Sequence, residues 1–562
     1  MPSTAFLAPL TNTRLVRRAA DAVLLRYAHH RTRALDRMDA GRVQHATLMK
    51  LVRKARDTQF GRDHDFSRIS SVADYQARVG VRDYEWFWNT YWKDVYPRLD
   101  NVTWPGQIPY YALSSGTTSG ATKYIPVSWE MVRSNKKAAF TTTAFFRHAN
   151  PAAKLFTGKF FFLGGTTDLR KQTDGSLAGD LSGIAAKELL EFLRPYTFPP
   201  PDLTLITNWE EKVQRFAQLS ANEPITALSG VPAWMYVLFA RLKEVTGKKT
   251  VAEVWPDLRL IIHGGTKFDP YRDLFKKEIG SDLVKYCEVY PCSEGFIATE
   301  DPRYNLLRIV PDHDIFFEFV PMSEFDSHGT LKEFPVRHTL ANVDVGVQYA
   351  VVLTSCAGVW SYLVGDTVAF ERRDPPLIRF TGRTKYFLSA FGEHLISEEV
   401  EKAVTHAATV SGVNAINFHV GPVFPSQPGK PGHHLYLIEF ADASPDTSRF
   451  AAEIDAELTR INEDYGPHRV GDLAMLMPEV RVVKRGGFDE WMKARGKYGG
   501  QNKVPRMDNS GAMTKDLATW FAEHGLAGFA SRFRYNEGSC TLTRRSSDWC
   551  RPFSRRSTRP AN

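Results

Sequence analysis

LRLIIHGG, residues 258–265, is a short apolar run that ends in two glycines, and similar runs recur along the chain. The apolar blocks KFFFLGG (159–165) and VKYCEVYPCSEG (284–295) also end in loops of Gly, Ser or Pro. Between them lie the helical patterns NWEEKVQRFAQLS (208–220) and AWMYVLFARLKEV (233–245). Strands that end in glycine loops and alternate with helices predict an α/β fold with mainly parallel sheets and flanking helices. Ligands are then expected at the carboxyl ends of the strands.

The pattern changes near residue 385. The segment TGRTKYFLSAFGEHLISEEVE (381–401) leads into a predicted helix with Ser397 as its N-cap, and shorter strands and helices follow. We therefore expect a large N-terminal domain over residues 1–385, whose residues 1–60 form a helical lead-in. A small α+β lid domain is expected over residues 386–534, and a disordered basic tail over 535–562.

Composition and charge exclude several classes of protein. The net charge of +9 is concentrated at the ends, with +8 in residues 1–57 and +6 in residues 531–562, so the remaining chain carries −5. This distribution argues against a nucleic-acid enzyme. The Arg-rich N-terminal segment is typical of a transit peptide or of an amphipathic helix on the main domain, and we favour the helix.

Cysteine usage and hydropathy indicate the compartment. The five cysteines are odd in number and form no CxxC pair, which argues against a zinc site and against a disulfide scaffold. No apolar run reaches the roughly 20 residues that cross a bilayer. We expect a cytoplasmic protein that does not bind a membrane.

The stretch SSGTTSGATK (114–123) has six hydroxyl side chains, two glycines and a terminal lysine. Backbone N–H groups around such glycines can converge into an anion nest, for which a polyphosphate is the natural ligand. The spacing does not match the Walker pattern, because Gly116 and Gly120 are too close together and Lys123 is not adjacent to a glycine. A flexible surface turn is the alternative.

Two further stretches have nucleotide-binding character. Gly264 and Gly265 could let a flat ligand lie against the backbone, or could simply form a tight turn. In VYPCSEGF (289–296), Tyr290 could stack on a base and Glu294 could bind Mg²⁺, although a solvated turn acid is the alternative.

Charged residues mark three later positions. Asp366 interrupts the strand pattern YLVGDTVAF (362–370), where it could accept hydrogen bonds from ribose or belong to a plain turn. Arg383 lies at the expected domain boundary and suits phosphate or ribose oxygens. Lys503 lies in the glycine-rich loop YGGQNKVPRM (498–507), where lysines are usually just solvated.

The chain contains a series of motifs in a fixed order: SSGTTSGATK, HGG, YPCSEG, YLVGD and the boundary segment. In this order they resemble the successive motifs of the adenylate-forming superfamily, which includes acyl-CoA ligases, peptide-synthetase adenylation domains and luciferases. Within it, SSGTT, YPCSE, YLVGD and QNKVPR most closely resemble the Gretchen Hagen three auxin-responsive acyl acid amido synthetase family, over about residues 45–530. The chain looks like a bacterial-type member.

The resemblance implies a ligase that uses ATP and Mg²⁺. A carboxylic acid and MgATP would give an acyl adenylate and pyrophosphate, and an amine, expected from an amino acid, would then displace AMP to form an amide. The implied nucleotide-binding residues are Ser114, Ser115, Gly116, Thr117, Thr118, Ser119, Gly120, Lys123, Gly264, Gly265, Tyr290, Ser293 and Asp366.

The resemblance also implies the catalytic residues. Glu294 would bind Mg²⁺, Arg383 would contact ribose or phosphate, and Lys503 would bridge the substrate carboxylate and the α-phosphate, offsetting the repulsion between two anions. Lys385 would be the hinge about which the small domain closes.

Three alternatives remain at this point. The boundary segment looks more like the general superfamily than the plant enzymes, so an acyl-CoA synthetase or another adenylate-forming enzyme with a thiol acceptor is the rival enzyme. A catalytically silent binding protein on the same fold is the non-enzymatic alternative. The aromatic-rich positions Trp234, Met235, Tyr236, Phe160 to Phe162 and Phe268 could line an acyl pocket or belong to the core. We expect a monomer whose partners are small-molecule substrates.

Overall fold

The computed structural model describes residues 13–115, 122–164, 168–200, 203, 206, 209–265, 268–325, 330–384, 387–388, 390–391, 393, 395–424, 431–441, 444–462, 465–469, 475–498 and 504–527. The chain divides into two units, Met1–Gly528 and Phe529–Asn562, and all described residues belong to the first. The predicted tail over 535–562 lies outside the described residues.

Helices and strands alternate along most of this unit. The described α-helices are α1 Arg14–Asp36, α2 Ala40–Ala55, α3 Gln59–Asp63, α4 Val72–Arg78, α5 Tyr84–Phe87, α6 Trp129–Ala149, α7 Leu181–Lys187, α8 Trp209–Ser220, α9 Pro232–Thr246, α10 Val251–Val254, α11 Asp269–Ile279, α12 Ser397–Ser411, α13 Thr447–Ile461, α14 Tyr465–Arg469, α15 Gly487–Ala494 and α16 Ala512–Glu523.

The described strands are β1 Tyr110–Ser115, β2 Thr122–Val127, β3 Lys159–Leu163, β4 Arg170–Lys171, β5 Leu177–Gly179, β6 Thr197–Phe198, β7 Ile225–Gly230, β8 Leu260–Gly264, β9 Lys285–Cys292, β10 Gly295–Asp301, β11 Leu306–Ile309, β12 Ile315–Pro321, β13 Gln348–Ser355, β14 Tyr362–Arg372, β15 Leu377–Arg383, β16 Phe387–Leu388, β17 Leu395–Ile396, β18 Ala415–Val423, β19 His433–Phe440 and β20 Glu479–Val483.

Eleven of the described strands form one sheet, the large sheet, in the order β12-β13-β14-β15-β11-β10-β9-β8-β7-β3-β6. The strands from β9 to β6 pair in parallel. The strands from β9 to β12 pair antiparallel. The α/β class is therefore confirmed, but within the large sheet parallel pairing is confined to one half. Apart from the longer connection between β12 and β13, the strands after β9 follow one another through short connections, which favour antiparallel neighbours, whereas helices separate β7, β8 and β9.

Each half of the large sheet has its own hydrophobic core. On the antiparallel half, Trp360 and Phe316 are fully buried among residues that include α2 and the aromatic segment around α5. On the parallel half, Trp255 and Phe161 are buried together with α8, α9 and α11. The cores fix the two halves against helices, so the strand ends between them have defined positions.

Helix α1 confirms the helical interpretation of the Arg-rich N-terminal segment. Arg31 forms a bidentate ion pair with Asp312, with both N–O distances at 2.7 Å. At its C-terminal end, Asp36 accepts hydrogen bonds from Arg303 and Arg308, and these bonds lower the pKa of Asp36 to about 2. Charge-assisted pairs of this kind hold α1 against the body of the protein. Among the described helices, none is both long and apolar enough to cross a bilayer.

The segment beyond residue 395 forms a separate three-stranded sheet, β18-β19-β20. Its hydrophobic core contains the buried residues Val400, Val404 and Ala407 of α12. Ser397 is the first residue of α12 and not its N-cap, because Ile396 occupies the cap and its N–H donates to Glu399 at 3.0 Å. The domain boundary at residue 385 stays a prediction, and Lys385 lies outside the described residues.

Candidate functional site

The candidate site lies where the large sheet changes from parallel to antiparallel pairing. The strands β9 and β10 form a hairpin whose connecting turn is Ser293–Glu294. Three strands separate β9 from β14 in the order of the sheet, yet Tyr290 of β9 contacts Asp366 of β14. The sheet therefore curls at this edge, which brings residues from its two halves together.

Asp366 is the centre of a partly buried polar cluster. The Tyr290 hydroxyl donates to its Oδ2 at 2.8 Å, and the Arg383 Nε lies 3.1 Å from its Oδ1. Asp366 and Arg383 are direct partners in the register of β14 and β15. Burial raises the pKa of Tyr290 well above its usual value, and the Asp366 charge raises it further, so Tyr290 stays a hydrogen-bond donor.

Gly365 adopts a backbone conformation that leaves room for this cluster. Gly365 has a φ of +88°, and a Cβ there would lie 3.3 Å from the Arg383 Nη2. Its carbonyl accepts from the Thr384 N–H at 2.9 Å. A side chain at this position would be strained and crowded, so glycine keeps Asp366 and Arg383 in place.

Glu294 lies in the β9–β10 turn and is only 8% exposed. It therefore differs from a solvated turn acid. Its carboxylate interacts with the Tyr362 hydroxyl, and the pKa of Tyr362 is raised well above its usual value, first by burial and then by the Glu294 charge. Ser293, beside it, is partly exposed. A buried carboxylate in a turn suits a hard cation that shares its remaining ligands with phosphates and water.

The glycines after β8 have a structural reason as well as the predicted ligand-binding one. A Cβ at Gly264 would lie 2.5 Å from the Val289 carbonyl oxygen, and Gly265 has a φ of +80°. His263 is buried, and its ring stacks on Phe268 with centroids 4.0 Å apart. Burial, followed by the Arg272 charge, lowers the pKa of His263 to about 3. His263 is thus a neutral packed residue.

The phosphate-loop prediction is only partly described. Ser114 and Ser115 end β1, and Ser114 pairs with Lys123 across the β1–β2 register. The Lys123 ammonium lies 5.2 Å from the centroid of the Tyr84 ring. The remaining predicted phosphate-binding positions, Gly116, Thr117, Thr118, Ser119 and Gly120, lie outside the described residues, as does Lys503.

Two residues at the site were not assigned from the sequence. Tyr362 is the first residue of the YLVGD motif, so the motif itself could have pointed to it. Tyr84 lies before the glycine loop in a segment without any recognisable pattern, and only its contact with Lys123 reveals it. Both are buried tyrosines that carry a polar group into the site.

The aromatic-rich positions belong mainly to the core. Met235, Phe161 and Phe268 are buried in the core of the parallel half, and Trp234 and Tyr236 pack against that core. Phe160 packs in a smaller cluster, and Phe162 is 45% exposed. These positions therefore do not define an acyl pocket.

Metal binding by protein atoms alone is not indicated. Within the described part of the chain, no group of three or more His, Cys, Asp or Glu residues lies close enough to hold a metal ion. Cys287, Cys292 and Cys356 are free thiols. The Glu294 carboxylate is suited to share a Mg²⁺ ion with the phosphates of a bound nucleotide.

Comparison with known families matches most of the chain. The GH3 family N-terminal domain matches residues 34–205 and 177–284, the GH3 family central domain matches 308–383, and the GH3 family C-terminal domain matches 398–512. The chain belongs to the GH3 family. The adenylate-forming resemblance read from the motifs is confirmed, and the bacterial-type assignment stays a prediction.

Curated GH3 relatives are similar over part of their length. Indole-3-acetic acid-amido synthetase GH3.3 of Arabidopsis thaliana is 27% identical over 274 residues, which cover 46% of this chain and 44% of the relative. The 4-substituted benzoates-glutamate ligase GH3.12 of the same plant is 26% identical over 219 residues, covering 36% and 37%. The match thus spans less than half the length of these relatives.

Solved structures establish the fold. The GH3.15 acyl acid amido synthetase in complex with 2,4-DB superposes with a TM-score of 0.72 at 18% identity, covering 89% of this chain and 96% of that one. A 2-hydroxyisobutyryl-CoA ligase in its postadenylation state gives 0.53 at 13% identity, covering 85% and 91%. This GH3 chain therefore has the fold of the adenylate-forming ligases.

Proposed function

We propose that the chain is an ATP-dependent acyl acid amido synthetase. It would form an acyl adenylate from a carboxylic acid and MgATP, release pyrophosphate, and transfer the acyl group to an amine, expected from an amino acid. The observation that carries the proposal is the partly buried cluster in which Asp366 is held between Tyr290 and Arg383, together with the buried carboxylate Glu294. The names of its relatives support the same chemistry.

The Asp366 cluster suits a nucleoside. A carboxylate accepts hydrogen bonds from ribose hydroxyls, and a guanidinium such as that of Arg383 has the charge and geometry to donate to ribose or phosphate oxygens. Tyr290 is 9% exposed, so the predicted stacking on adenine would use the part of its ring that remains accessible. Gly265, just beyond the end of β8, is exposed.

Glu294 would hold Mg²⁺, which would neutralise phosphate charge while adenylation proceeds. The Ser114–Gly120 stretch and Lys123 would bind the β- and γ-phosphates. Lys503 would reach the carboxylate and α-phosphate when the small domain closes about Lys385, and the same rotation would later admit the acceptor. A monomer that works in the cytoplasm belongs to this proposal.

The test of the activity is ATP–pyrophosphate exchange across a panel of aryl and fatty acids. Mass spectrometry of reactions that contain pooled amino acids and coenzyme A then identifies the acceptor. An amide product supports the proposal, and a thioester product supports the acyl-CoA synthetase alternative. A lack of exchange with every acid would indicate a silent binding protein.

The role of Lys503 has its own test. Lys503→Ala is expected to lower exchange by about 100-fold or more, because a preorganised cation at the reacting atoms typically contributes several kcal/mol. ATP binding, measured by calorimetry, should persist. Exchange at the wild-type rate would exclude Lys503 from the reaction.

A further inference from the structure

The segment before the glycine loop contains a tyrosine that faces the proposed phosphate site. Tyr84 is the first residue of α5 and is 4% exposed. Its ring lies 5.2 Å from the Lys123 ammonium, a distance at which a cation interacts with the face of an aromatic ring. Its hydroxyl accepts the Tyr124 N–H at 2.9 Å, so one side chain contacts two successive residues of β2.

The backbone around Tyr84 is fixed to the other side of the site. The Arg82 N–H donates to the Ser361 carbonyl at 3.1 Å, and the Leu363 N–H donates to the Arg82 carbonyl at 2.8 Å. These bonds join the segment to the beginning of β14, six residues or fewer before Asp366. The Trp88 ring stacks on Tyr84 with centroids 5.9 Å apart. The segment that carries Tyr84 therefore connects β2 with β14.

Two charged residues of the proposed site, Lys123 and Glu294, lie near Tyr84. Burial raises the pKa of the Tyr84 hydroxyl, and the charges of Glu85 and, to a smaller extent, Glu294 raise it further. The tyrosine thus stays neutral between a cation, Lys123, and an anion, Glu294. Neutrality matters because a phenolate here would trap the Lys123 ammonium in an ion pair and withhold it from phosphate.

We propose that Tyr84 is a positioning residue that holds the Lys123 ammonium toward the β- and γ-phosphates of ATP. The inference rests on the proposed function. A lysine side chain loses substantial rotamer freedom when it is ordered, and a preformed contact with an aromatic ring reduces the part of that loss that accompanies ATP binding. The ring keeps the cation oriented without neutralising it, as a carboxylate would.

Removing the ring should weaken ATP binding selectively. In Tyr84→Leu we expect the KM for MgATP to rise about tenfold, the size that a partly desolvated cation–π contact supports, with kcat within about twofold of wild type. Tyr84→Phe keeps the ring and should stay within about twofold in both parameters. Tyr91→Leu is the matched control, because Tyr91 is 9% exposed in the same segment and bonds to Asp63 instead. It should lower stability without raising the KM.

A nearly isosteric variant tests the ring electronics if Tyr84→Leu does not fold. Incorporation of 3,4,5-trifluorophenylalanine at position 84 weakens the negative face of the ring, and we expect a KM about threefold above that of Tyr84→Phe. Equal KM values for the two variants would overturn the cation–ring role.

Binding measurements separate this inference from the proposed activity. Calorimetry with ATP and with AMP should show that Tyr84→Leu weakens ATP about tenfold and AMP by less than about twofold, because only ATP carries the β- and γ-phosphates. Equal losses for both nucleotides, or no loss, would overturn the inference while leaving the proposed function intact. A wild-type protein that binds neither nucleotide would overturn both.

Discussion

The two halves of the large sheet supply different chemistry to the same edge. In the parallel half, β8 ends at Gly264, which lies close against Val289, the next residue Gly265 has an exposed backbone, and the nearby His263 is a buried neutral ring. In the antiparallel half, the register of β14 and β15 sets Asp366 opposite Arg383 and contributes charge. The candidate site is therefore divided between the two halves. Parallel strands end with their backbones aligned at one edge of the sheet, whereas an antiparallel register places specific side chains opposite each other.

The largest expected effect on activity comes from a substitution in the antiparallel half, which carries Asp366 and Arg383. Asp366→Ala removes the acceptor of the Tyr290 hydroxyl and the carboxylate beside Arg383, and each loss of this kind costs about 1–3 kcal/mol. We expect kcat/KM in the exchange reaction to fall on the order of 100-fold.

The control for Asp366 is on the same pair of strands. Glu371 lies 3.0 Å from Arg379 across β14 and β15, but both side chains are about 40% exposed. Glu371→Ala should leave kcat/KM within about twofold, because exposed ion pairs contribute little. Equal losses in the two variants would show that strand pairing, and not the site, depends on these acids.

In the parallel half, the addition of one methyl group at Gly264 should destabilise the protein. Gly264→Ala would place a Cβ 2.5 Å from the Val289 carbonyl oxygen, so β8 and β9 must separate. We expect the free energy of unfolding, measured in urea, to fall by about 1–3 kcal/mol. Gly247→Asn is the control, because Gly247 has a φ of +68° with open space around it, and asparagine tolerates that conformation. A Gly264→Ala protein of wild-type stability would contradict the close strand approach.

The pH dependence of the free energy of unfolding should depend on His263, which also lies in the parallel half. The pKa of His263 in the folded protein is about 3, below its usual value of 6.5. Between these two pH values the unfolded chain therefore binds a proton that the folded chain does not bind. Stability is therefore complete above pH 6.5 and falls as the pH drops toward 3, by about 1.4 kcal/mol per pH unit from this group.

The variant His263→Phe should flatten that part of the stability profile in urea unfolding between pH 4 and 7. His45→Gln, on the exposed surface of α2, should keep the wild-type slope. A His263→Phe protein with the wild-type slope would assign the acid sensitivity to other groups.

The smallest expected effect comes from removing the hydrogen bond between Tyr290 of β9 and Asp366 of β14, which links the two halves. Tyr290→Phe keeps the edge-on contact with Phe380 but removes the hydrogen bond to Asp366. A net hydrogen bond contributes about 1 kcal/mol, so the KM for MgATP should rise about fivefold. An unchanged KM would show that Arg383 alone is sufficient to hold Asp366.

The sequence by itself determined the local structure and the order of the motifs. Apolar runs that end in glycine predicted β3, β8 and β9, and helical spacing predicted α8, α9 and α12. These predictions succeeded because hydrophobic periodicity and turn chemistry depend on neighbours within a few residues. The motifs also pointed to Glu294, Asp366 and Arg383, which the structure brings to one edge of the large sheet.

Only the tertiary structure decided which of these residues meet. The hydrogen bond between Tyr290 and Asp366 joins positions 76 residues apart and requires the large sheet to curl across three intervening strands. The place of Tyr84 beside Lys123 likewise depends on how two distant segments pack, and no local pattern encodes it. Periodicity reports which side of an element is buried, whereas strand order and curvature follow from the packing of the whole core.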